Sequence, residues 1–418
     1  MDLKEKIKLL SEKLLSEVTA LRRHLHANPE LSFEEYNTSR FIASKLKEWG
    51  IPYKDGIIKT GIVALIKGTL PSPAGEGLGM RCIALRADMD ALPITETNEV
   101  PYRSKNTGVM HACGHDVHTA SLLGAAKILN ELKNEFSGTI KLIFQPGEEK
   151  APGGASLMIK EGVLEDPKPS AIFAQHVFPS LEAGKVGFRP GKYMASTDEI
   201  YLSIKGKGGH AAMRGTYVSP LLIAAEILLA LEKVFSPLSG GEGPVRKDPF
   251  GGERPDGAIP TVLAFGKISG PGSTNVIPDL VKIDGTLRTM NDAWRKKAHD
   301  IIRELAVTKA KSMGGDCEVN IMTGYPALIN DEQTTADAIK LAAEFLGKEN
   351  VIALDLRMTG EDFAFFAQRI PACFYRLGTG NISKGITSGV HTPTFNIDES
   401  ALQTGMGLMA WLAINHPT

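Results

Sequence analysis

Strands and helices alternate along most of this chain, and that alternation limits the folds open to it. Short apolar runs predict buried strands in six places, at residues 61–67, 81–85, 139–144, 171–174, 351–355 and 372–377. Helical patterns separate most of these strands. The alternation predicts an α/β fold with a mostly parallel sheet, and ligands of such sheets gather outside the carboxyl ends of the strands.

Residues 191–325 follow a different pattern. Their predicted order is strand, helix, strand, strand, helix, strand, which is the ferredoxin-like β-α-β-β-α-β unit. We therefore expect residues 1–190 and 326–418 to form the α/β domain, with residues 191–325 as an inserted α+β domain. The loop at residues 236–257 is rich in Gly and Pro and is expected to be mobile or to make contacts.

The composition is that of an ordinary globular protein. Lys and Arg number 47 against 48 Asp and Glu, so no basic excess indicates a nucleic-acid partner. No apolar run approaches the roughly 20 residues of a membrane span, and no secretory leader is visible, so no membrane partner is expected. The four cysteines are far apart, which favours the cytoplasm, where thiols stay reduced.

Residues 110–118, with the sequence MHACGHDVH, have the composition of a metal site. They contain three imidazoles, a thiol and a carboxylate within nine positions. Gly114 lets the backbone turn so that Cys113 and His115 can face one point, and this donor set suits zinc or a similar divalent ion. Taken alone, the stretch is also compatible with a polar loop or a helix start.

Further donors follow other predicted strands. Glu148 and Glu149 come after one strand, Asp88 and Asp90 come after another, and His176 takes the same position after a third. The candidate metal ligands are Cys113, His115, Glu149, His176 and His391, with Asp88, Asp90 and Glu148 as nearby carboxylates. A catalytic zinc needs about three protein ligands, so five candidates suit two adjacent ions that share one ligand. A thiolate such as that of Cys113 can bridge two ions.

Six motifs, in order along the chain, carry a resemblance to a known family. They are RADMDALP at 86–93, MHACGHD at 110–116, QPGEE at 145–149, KGGHAA at 207–212, TNVIP at 274–278 and GTLR at 285–288. RRHLH at 22–26, followed by PEL at 29–31, fits as well. The chain resembles the amidohydrolase branch of the dinuclear metallopeptidase family twenty, which includes aminoacylases, hippurate hydrolases and indole-acetyl-amino-acid hydrolases. The resemblance covers essentially the whole chain.

The resemblance implies a metallopeptidase catalytic domain with an inserted ferredoxin-like lid that also dimerises. It implies two divalent ions per subunit, zinc or manganese first and cobalt or nickel as alternatives. The ions would be bound by Cys113, His115, Glu149, His176 and His391. Glu148 would be the general base, which takes a proton from water and passes it to the leaving amine. The carboxylate that orients the metal centre matches Asp88 best, with Asp90 as a rival.

Three residues of the insert receive substrate roles from the resemblance. His210 would help to hold the oxyanion, with Asn275 assisting, in the site of a neighbouring subunit if the lid dimerises. Arg288 would bind the α-carboxylate of the substrate as a bidentate partner. The alternatives are a surface histidine in a glycine-rich turn and a strand-end arginine in a surface ion pair. His111 and His118 outnumber the ligand positions and are expected to support the ligands.

The leading hypothesis is a cytoplasmic, metal-dependent amidohydrolase that cleaves the amide bond of N-acyl amino acids. A metallo-carboxypeptidase or dipeptidase acting on short peptides is the alternative within catalysis. A catalytically silent metal-binding scaffold is the alternative of another class, because a fold does not fix a function. The expected partners are a small substrate and a second copy of the chain, in a homodimer or a dimer-based oligomer formed through the lid.

Overall fold

The computed structural model describes residues 1–71, 81–235 and 260–417. Contacts divide the chain into two compact units. The α/β unit comprises Met1–Gly191, Ile329–Leu354 and Asp362–Thr418, and the insert unit comprises Lys192–Leu328 and Asp355–Glu361. The domain boundaries at residues 190 and 325 stay a prediction. The loop at residues 236–257, for which we expected mobility or contacts, lies outside the described residues.

Helices account for much of the described chain. The α-helices are α1 (Leu3–Ala27), α2 (Tyr36–Glu48), α3 (His115–Glu131), α4 (Gly154–Lys160), α5 (Pro220–Phe235), α6 (Asp292–Ser312), α7 (Glu332–Leu346), α8 (Ala364–Ala367) and α9 (Ala401–Asn415). Short 3-10 turns lie at Lys133–Glu135, Lys348–Asn350 and Ile382–Lys384. In the part of the chain that the structure describes, no helix combines the length and the apolar character needed to cross a membrane.

Strands fall in both units. In chain order they are β1 (Tyr53–Ile57), β2 (Gly61–Lys67), β3 (Cys82–Asp88), β4 (Thr139–Gln145), β5 (Ala171–Glu182), β6 (Val186–Phe188), β7 (Gly191–Met194), β8 (Asp198–Lys205), β9 (Gly209–His210), β10 (Thr261–Ser269), β11 (Val276–Ile277), β12 (Leu280–Thr289), β13 (Asp316–Thr323), β14 (Leu328–Asn330), β15 (Val351–Ala353) and β16 (Ala372–Gly380).

The α/β unit is built on an eight-stranded sheet with the order β1-β2-β4-β3-β5-β16-β6-β15. The central strands β4, β3, β5 and β16 are parallel to one another, and β2 and β6 run antiparallel beside them. Every residue of β3, β4 and β16 is buried, which explains why these strands show apolar runs without alternation. The predicted α/β fold with a mostly parallel sheet is confirmed.

Helices α1, α3 and α9 pack against one another, and their apolar side chains join those of the sheet in one core. Almost all of α3 is buried, so its sequence is apolar around most of its circumference rather than along a single stripe. This packing fixes the beginning of α3, where His115 lies. The core of the α/β unit therefore supports the residues predicted to bind metal.

The carboxyl ends of the central strands bring the predicted donors to one edge of the sheet. Asp88 ends β3 and lies opposite Gln145, the last residue of β4. The expectation that Asp88 and His176 follow their strands was wrong, because both lie within them. β5 runs on to Glu182 because its backbone pairs with β16 beyond the apolar run, and His176 lies opposite Arg376 in that pairing.

The insert unit contains a four-stranded antiparallel sheet with the order β10-β12-β8-β13. Helices α5 and α6 pack against each other and against this sheet, and the three elements share an apolar core. Along the chain the elements follow as β8, α5, β10, β12, α6 and β13, apart from the two-residue strands β9 and β11. The predicted β-α-β-β-α-β order is therefore confirmed.

A buried ion pair joins α1 to the first turn of α3. Nε of Arg22 donates to Oδ2 of Asp116 at 2.7 Å, and both side chains are fully buried. Nδ1 of His26 lies 2.8 Å from the same oxygen. Burial alone would raise the pKa of Asp116, but the charges of Arg22 and His26 outweigh it and hold the pKa well below its usual value. Asp116 is therefore an anion that depends on these two partners.

We expect Arg22→Met to destabilise the α/β unit by about 3 kcal/mol or more, because it leaves Asp116 buried with His26 as its remaining partner. The matched control is Arg23→Met. Arg23 pairs with Glu399 at the surface, with 47% of its side chain exposed, so this change should cost less than about 1 kcal/mol. Urea unfolding followed by circular dichroism measures both variants. Equal losses of unfolding free energy would contradict the role of the buried pair.

Candidate metal centre

Gly114 shapes the backbone between two predicted ligands, Cys113 and His115. Its φ is +83°, in the left-handed region that favours glycine, and α3 begins at the next residue. A Cβ at this position would lie 2.6 Å from Cγ2 of Val177, which is closer than two carbon atoms can approach. The turn that presents Cys113 and His115 to the site therefore requires glycine.

The sulfur of Cys113 lies at the middle of the donor cluster. Its Sγ is 3.4 Å from Nε2 of His176 and 3.3 Å from Nε2 of His391. Nε2 of His391 is also 3.3 Å from Oε1 of Glu149. Two donors that bind one ion at about 2.0–2.3 Å lie roughly 3.3–3.6 Å apart in tetrahedral geometry. These separations fit donors that share an ion.

The backbone at His391 is held in an unusual conformation. Its φ is +62°, which a residue with a side chain rarely adopts. Its N–H donates to the carbonyl of Ala112 at 2.7 Å, next to Cys113 in the chain. Local strain of this kind persists where the surrounding structure fixes it. Here the contact brings an imidazole from the last part of the chain to Cys113.

One nitrogen of His115 is buried without a hydrogen bond. Its Nε2 lies 3.7 Å from Oδ2 of Asp88, 4.0 Å from Oε2 of Glu148 and 3.9 Å from Oε1 of Glu149. A buried polar atom without a partner is costly and rare in native proteins. An atom surrounded by carboxylates at these distances is positioned as a ligand for a cation.

Hydrogen bonds on the opposite ring nitrogens determine which lone pairs face the cluster. Nδ1 of His115 lies 3.1 Å from Oδ1 of Asp90, and Nδ1 of His176 lies 2.8 Å from the carbonyl oxygen of Val177. Both acceptors bind a proton on Nδ1, so Nε2 is the nitrogen of each ring that faces the site. This arrangement of ring and outer acceptor is typical of metal-binding histidines.

His118 is excluded as a ligand by its own hydrogen bonds. The N–H of Val177 donates to Nε2 of His118 at 2.9 Å, so Nδ1 carries the proton and donates to Oδ1 of Asp88 at 2.6 Å. Both ring nitrogens are occupied, as expected for a supporting residue.

His111 is fully buried and makes no hydrogen bond from either nitrogen, and burial lowers its pKa to about 4. It stays neutral beside the site.

The two candidate carboxylates differ in what they contact. Oδ1 of Asp90 binds His115, and Oδ2 of Asp90 accepts a hydrogen bond from the backbone N–H of Glu149 at 3.0 Å. Asp88 instead accepts from His118 and from Nη1 of Arg86, the latter at 2.6 Å. Asp90 therefore contacts two predicted ligands directly, whereas the hydrogen bonds of Asp88 go to residues behind them.

The electrostatics of the cluster favour positive charge. Hydrogen bonds to Cys113 and Glu149 raise the pKa of His391 to about 10. Burial opposes protonation of His115, but Asp88 and Cys113 outweigh it and raise the pKa of His115 well above its usual value. His176 behaves differently, because burial and the charge of Arg376 hold its pKa well below the usual value. It remains the neutral imidazole that a metal ion requires.

The residues present fit a pair of metal ions. One set of mutually close donors is Cys113, His115 and His176, and another is Cys113, Glu149 and His391, with the donor atoms of each set within 4.8 Å of one another. Cys113 belongs to both sets, which is the arrangement that a bridging thiolate requires. Thiolate, imidazole and carboxylate together suit a borderline-soft divalent ion.

Three predicted site residues lie in the insert unit. His210, in β9, pairs with Val276 of β11, and the N–H of Ala211 donates to the carbonyl of Asn275 at 3.0 Å. His210 and Asn275 are therefore neighbours, and both are exposed. Arg288 lies near the end of β12, where its Nε donates to Oγ1 of Thr286 at 3.1 Å and partial burial lowers the pKa of its guanidinium.

The sequence contains one sign of a polar layer behind the donor cluster. Arg86 is a charged residue within the otherwise apolar strand β3, and it is fully buried. Its guanidinium binds Asp88, Gln145 and Asp362, which form a polar layer behind the donor cluster. A charge within a buried strand needs such partners. One of these partners, Asp362, lies 276 positions further along the chain, so the sequence alone does not identify it.

Comparisons with known proteins give matches over most of the chain. The model of Peptidase family M20/M25/M40 matches residues 84–415. N-acetyl-L-cysteine deacetylase of Bacillus subtilis is 38% identical over 391 residues, covering 93% of this chain and 85% of the relative. Thermostable carboxypeptidase 2 of Saccharolobus solfataricus is 34% identical over 417 residues, covering 99% of each chain.

A solved structure from Bacillus subtilis, described as a dinuclear metal binding peptidase from the M20 family, has a TM-score of 0.78 and 34% identity to this chain. It covers 96% of this chain and 98% of its own. The match of the family model extends over most of the chain and includes all five predicted metal ligands. The chain therefore belongs to peptidase family M20/M25/M40, a family of metal-dependent hydrolases.

Proposed function

We propose that the protein removes the acyl group from N-acyl amino acids by hydrolysing their amide bond. Cleavage of short peptides, as a carboxypeptidase or dipeptidase, is the second candidate. The observation that carries the proposal is the buried donor cluster, in which Nε2 of His115 lies among three carboxylates without a hydrogen bond. The complete ligand set counts against a catalytically silent scaffold.

The similarity to known proteins supports both candidates. One relative is named as a deacetylase of N-acetyl-L-cysteine and another as a carboxypeptidase. Both reactions break an amide bond next to an amino acid with a free carboxylate, and they differ in whether the other side is a simple acyl group or an amino acid. A single site can therefore serve either reaction.

Glu148 is the proposed general base. It is 7% exposed, which limits the access of bulk water to its carboxylate. Its Oε2 is 4.0 Å from Nε2 of His115. Two divalent cations, when bound by Cys113, His115, Glu149, His176 and His391, supply Lewis-acid activation of the water and of the amide carbonyl. Glu148 accepts the proton of the attacking water at a carboxylate oxygen and donates it to the leaving nitrogen.

We assign the orientation of His115 to Asp90 rather than to Asp88, the residue that matched the family pattern best. The hydrogen bond from Nδ1 of His115 to Asp90 supports this choice. Asp88 acts one step further away, because it holds His118, which in turn accepts the N–H of Val177 beside His176. Both carboxylates are positioning residues in this proposal.

The insert residues are proposed to bind the substrate. His210 and Asn275, which are neighbours through β9 and β11, would donate to the developing oxyanion. Arg288 would bind the α-carboxylate, because its planar guanidinium matches both carboxylate oxygens. The half-buried position of Arg288 supports this role, since partial burial strengthens a charged hydrogen bond.

A matched panel of substrates tests the proposed function. N-acetyl, N-benzoyl and N-aminoacyl groups are joined to the same series of amino acids and offered to metal-free protein reloaded with zinc, manganese, cobalt or nickel. We expect turnover of the simple acyl compounds and its loss on chelation. Turnover of the aminoacyl compounds alone would move the assignment to peptidase. No turnover of any compound by the metal-loaded protein would contradict both candidates.

The same panel, extended with carboxamide analogues of the best substrate, tests Arg288. Arg288→Lys should raise KM for the free acid by roughly 10-fold or more, because a point charge replaces a bidentate partner. The carboxamide analogues should change much less. A similar loss for acid and amide would remove Arg288 from carboxylate binding.

Paired variants of Glu148 and Glu149 test their division of roles. Glu148→Gln should lower kcat by about 10²–10⁴-fold, the usual contribution of a general base, while the protein keeps its metal content. Glu149→Gln should instead lose metal, because it removes a charged ligand. Metal content is measured by plasma emission spectroscopy after dialysis, and kcat by amine release. Full turnover by a metal-replete Glu148→Gln variant would overturn the assignment.

We propose that the insert unit forms a homodimer. Its edge strand β10 and helix α5 carry exposed apolar side chains, including Leu222 at 65%, Leu229 at 61% and Ile268 at 56%. Apolar side chains this exposed on one unit indicate a covered face. An edge strand also has free backbone groups that can pair with a second copy of itself.

Light scattering during gel filtration tests the dimer. We expect about twice the chain mass of 45.0 kDa at micromolar concentration, and the monomer mass for Leu222→Glu/Leu229→Glu. If His210 acts in the partner's site, the monomeric variant should lose turnover while keeping its metal. A fully active monomer would contradict that role. Arg40→Glu, at an exposed position of the α/β unit, serves as a charge control.

We also propose that the protein works in the cytoplasm with zinc or manganese. All four cysteines are buried and unpaired, as expected where thiols stay reduced. A thiolate ligand in the cluster favours zinc among the candidate ions. Recovery of the protein from the culture medium rather than from the cytoplasmic fraction would contradict the proposed location.

A further inference from the structure

Residues 30–35, between α1 and α2, run beside both strand-end loops of the donor cluster. On one side the N–H of Ala91 donates to the carbonyl of Glu30 at 2.8 Å, and Oγ of Ser32 donates to Oδ2 of Asp90 at 2.6 Å. On the other side the N–H of Gly147 donates to Oε1 of Glu35 at 2.8 Å. This segment therefore joins the loop after β3 to the loop after β4.

Of the three acids in this segment, Glu35 is the one that is completely buried. Its Oε1 accepts from the N–H groups of Phe33 and Gly147, both at 2.8 Å, and its Oε2 accepts from Oγ1 of Thr60 at 2.8 Å. Within the described residues it makes no ion pair. Burying a carboxyl without a cation is costly, and burial together with the nearby Asp90 raises the pKa of Glu35 to about 7. In place of a cation, the fold offers this carboxyl group three hydrogen bonds.

The contact with Gly147 is close on both sides. Gly147 has a φ of +64°, and a Cβ there would overlap the ring of Phe33. Phe33 itself has a φ of +66°, which is rare for a residue with a side chain. Two left-handed residues therefore meet at this point, and the carboxylate of Glu35 binds the N–H of each. This fixes the backbone immediately before Glu148.

We propose that Glu35 is a positioning residue for Glu148 and Glu149. It holds the N–H of Gly147 and so determines where the next two carboxylates lie relative to the donor cluster. Asp90 adds a second restraint, because the oxygen that binds Ser32 also accepts the N–H of Glu149. The inference deepens the proposed function and rests on the role of Glu148 as general base. Glu35 contacts neither substrate nor metal in this scheme.

A purely structural role for Glu35 predicts a different outcome, and Thr60 offers a matched control. Thr60→Val removes the hydrogen bond to Oε2 and leaves both bonds of Oε1 in place. If Glu35 only stabilises the core, this variant and variants of Glu35 should lower stability and activity together. If Glu35 positions the loop, only loss of the bond to Gly147 should lower kcat.

The experiment compares Glu35→Gln, Glu35→Met and Thr60→Val for kcat, KM, metal affinity and thermal midpoint. The glutamine oxygen can still accept from Gly147, so Glu35→Gln should keep kcat within about threefold. Glu35→Met leaves that N–H buried without a partner. We expect its kcat to fall roughly 100-fold, as for a small misplacement of a catalytic group, with KM little changed and metal affinity about 10-fold weaker. Thr60→Val should keep kcat within about threefold.

Equal losses of kcat in Thr60→Val and Glu35→Met would overturn the inference, as would full kcat in Glu35→Met. If Glu35→Met does not fold, Glu35→Asp decides, because the shorter side chain keeps the charge but withdraws from Gly147. Retained kcat in Glu35→Asp would also overturn the inference. Glu148→Gln in the same assay separates the two proposals. Turnover by that variant refutes the base assignment, whereas an inactive Glu148→Gln beside a fully active Glu35→Met refutes only the positioning role.

Discussion

The register of the four central parallel strands determines where the donor residues of this protein lie. With Asp88 opposite Gln145, the loops after β3 and β4 leave the sheet at the same level, and α3 begins beside them. A slip of one residue would turn every side chain of a strand to the opposite face. The carboxylates of one loop would then no longer face the imidazoles of the next. Packing of the core thus determines the geometry of the donors.

Buried charge is the second constraint, and the charged side chains lie in two layers. The donor cluster gathers acids and imidazoles that need a cation. Behind it, the guanidinium of Arg86 binds both Asp88 and Asp362. Gln145 contacts the same guanidinium and also the carboxylate of Asp362. Such networks rarely stabilise a protein more than apolar packing would. Here the network orients side chains, because each hydrogen bond fixes the direction of the next side chain towards the cluster.

Much of this arrangement could be predicted from the sequence. Uninterrupted apolar runs located the buried strands, and donor types at strand ends indicated a metal site whose donors the structure brings together. The limits are equally specific. His176 lies inside β5 because backbone pairing, which leaves no mark on the side-chain pattern, extends that strand. Asp88 and Asp90 are two residues apart, and only hydrogen bonds in three dimensions distinguish them. Glu35 was missed because its partner Gly147 is distant in sequence.

The position of β16 in the sheet has a consequence for how the protein is made. β16 lies between β5 and β6, although nearly two hundred residues separate it from them in the chain, and His391 follows it. A ribosome must therefore release most of the chain before the sheet can close and the last imidazole can reach Cys113. Chains grow at about 5–20 residues per second, so many seconds pass between the synthesis of Cys113 and that of His391. The donor cluster is therefore complete only when nearly the whole chain has been made.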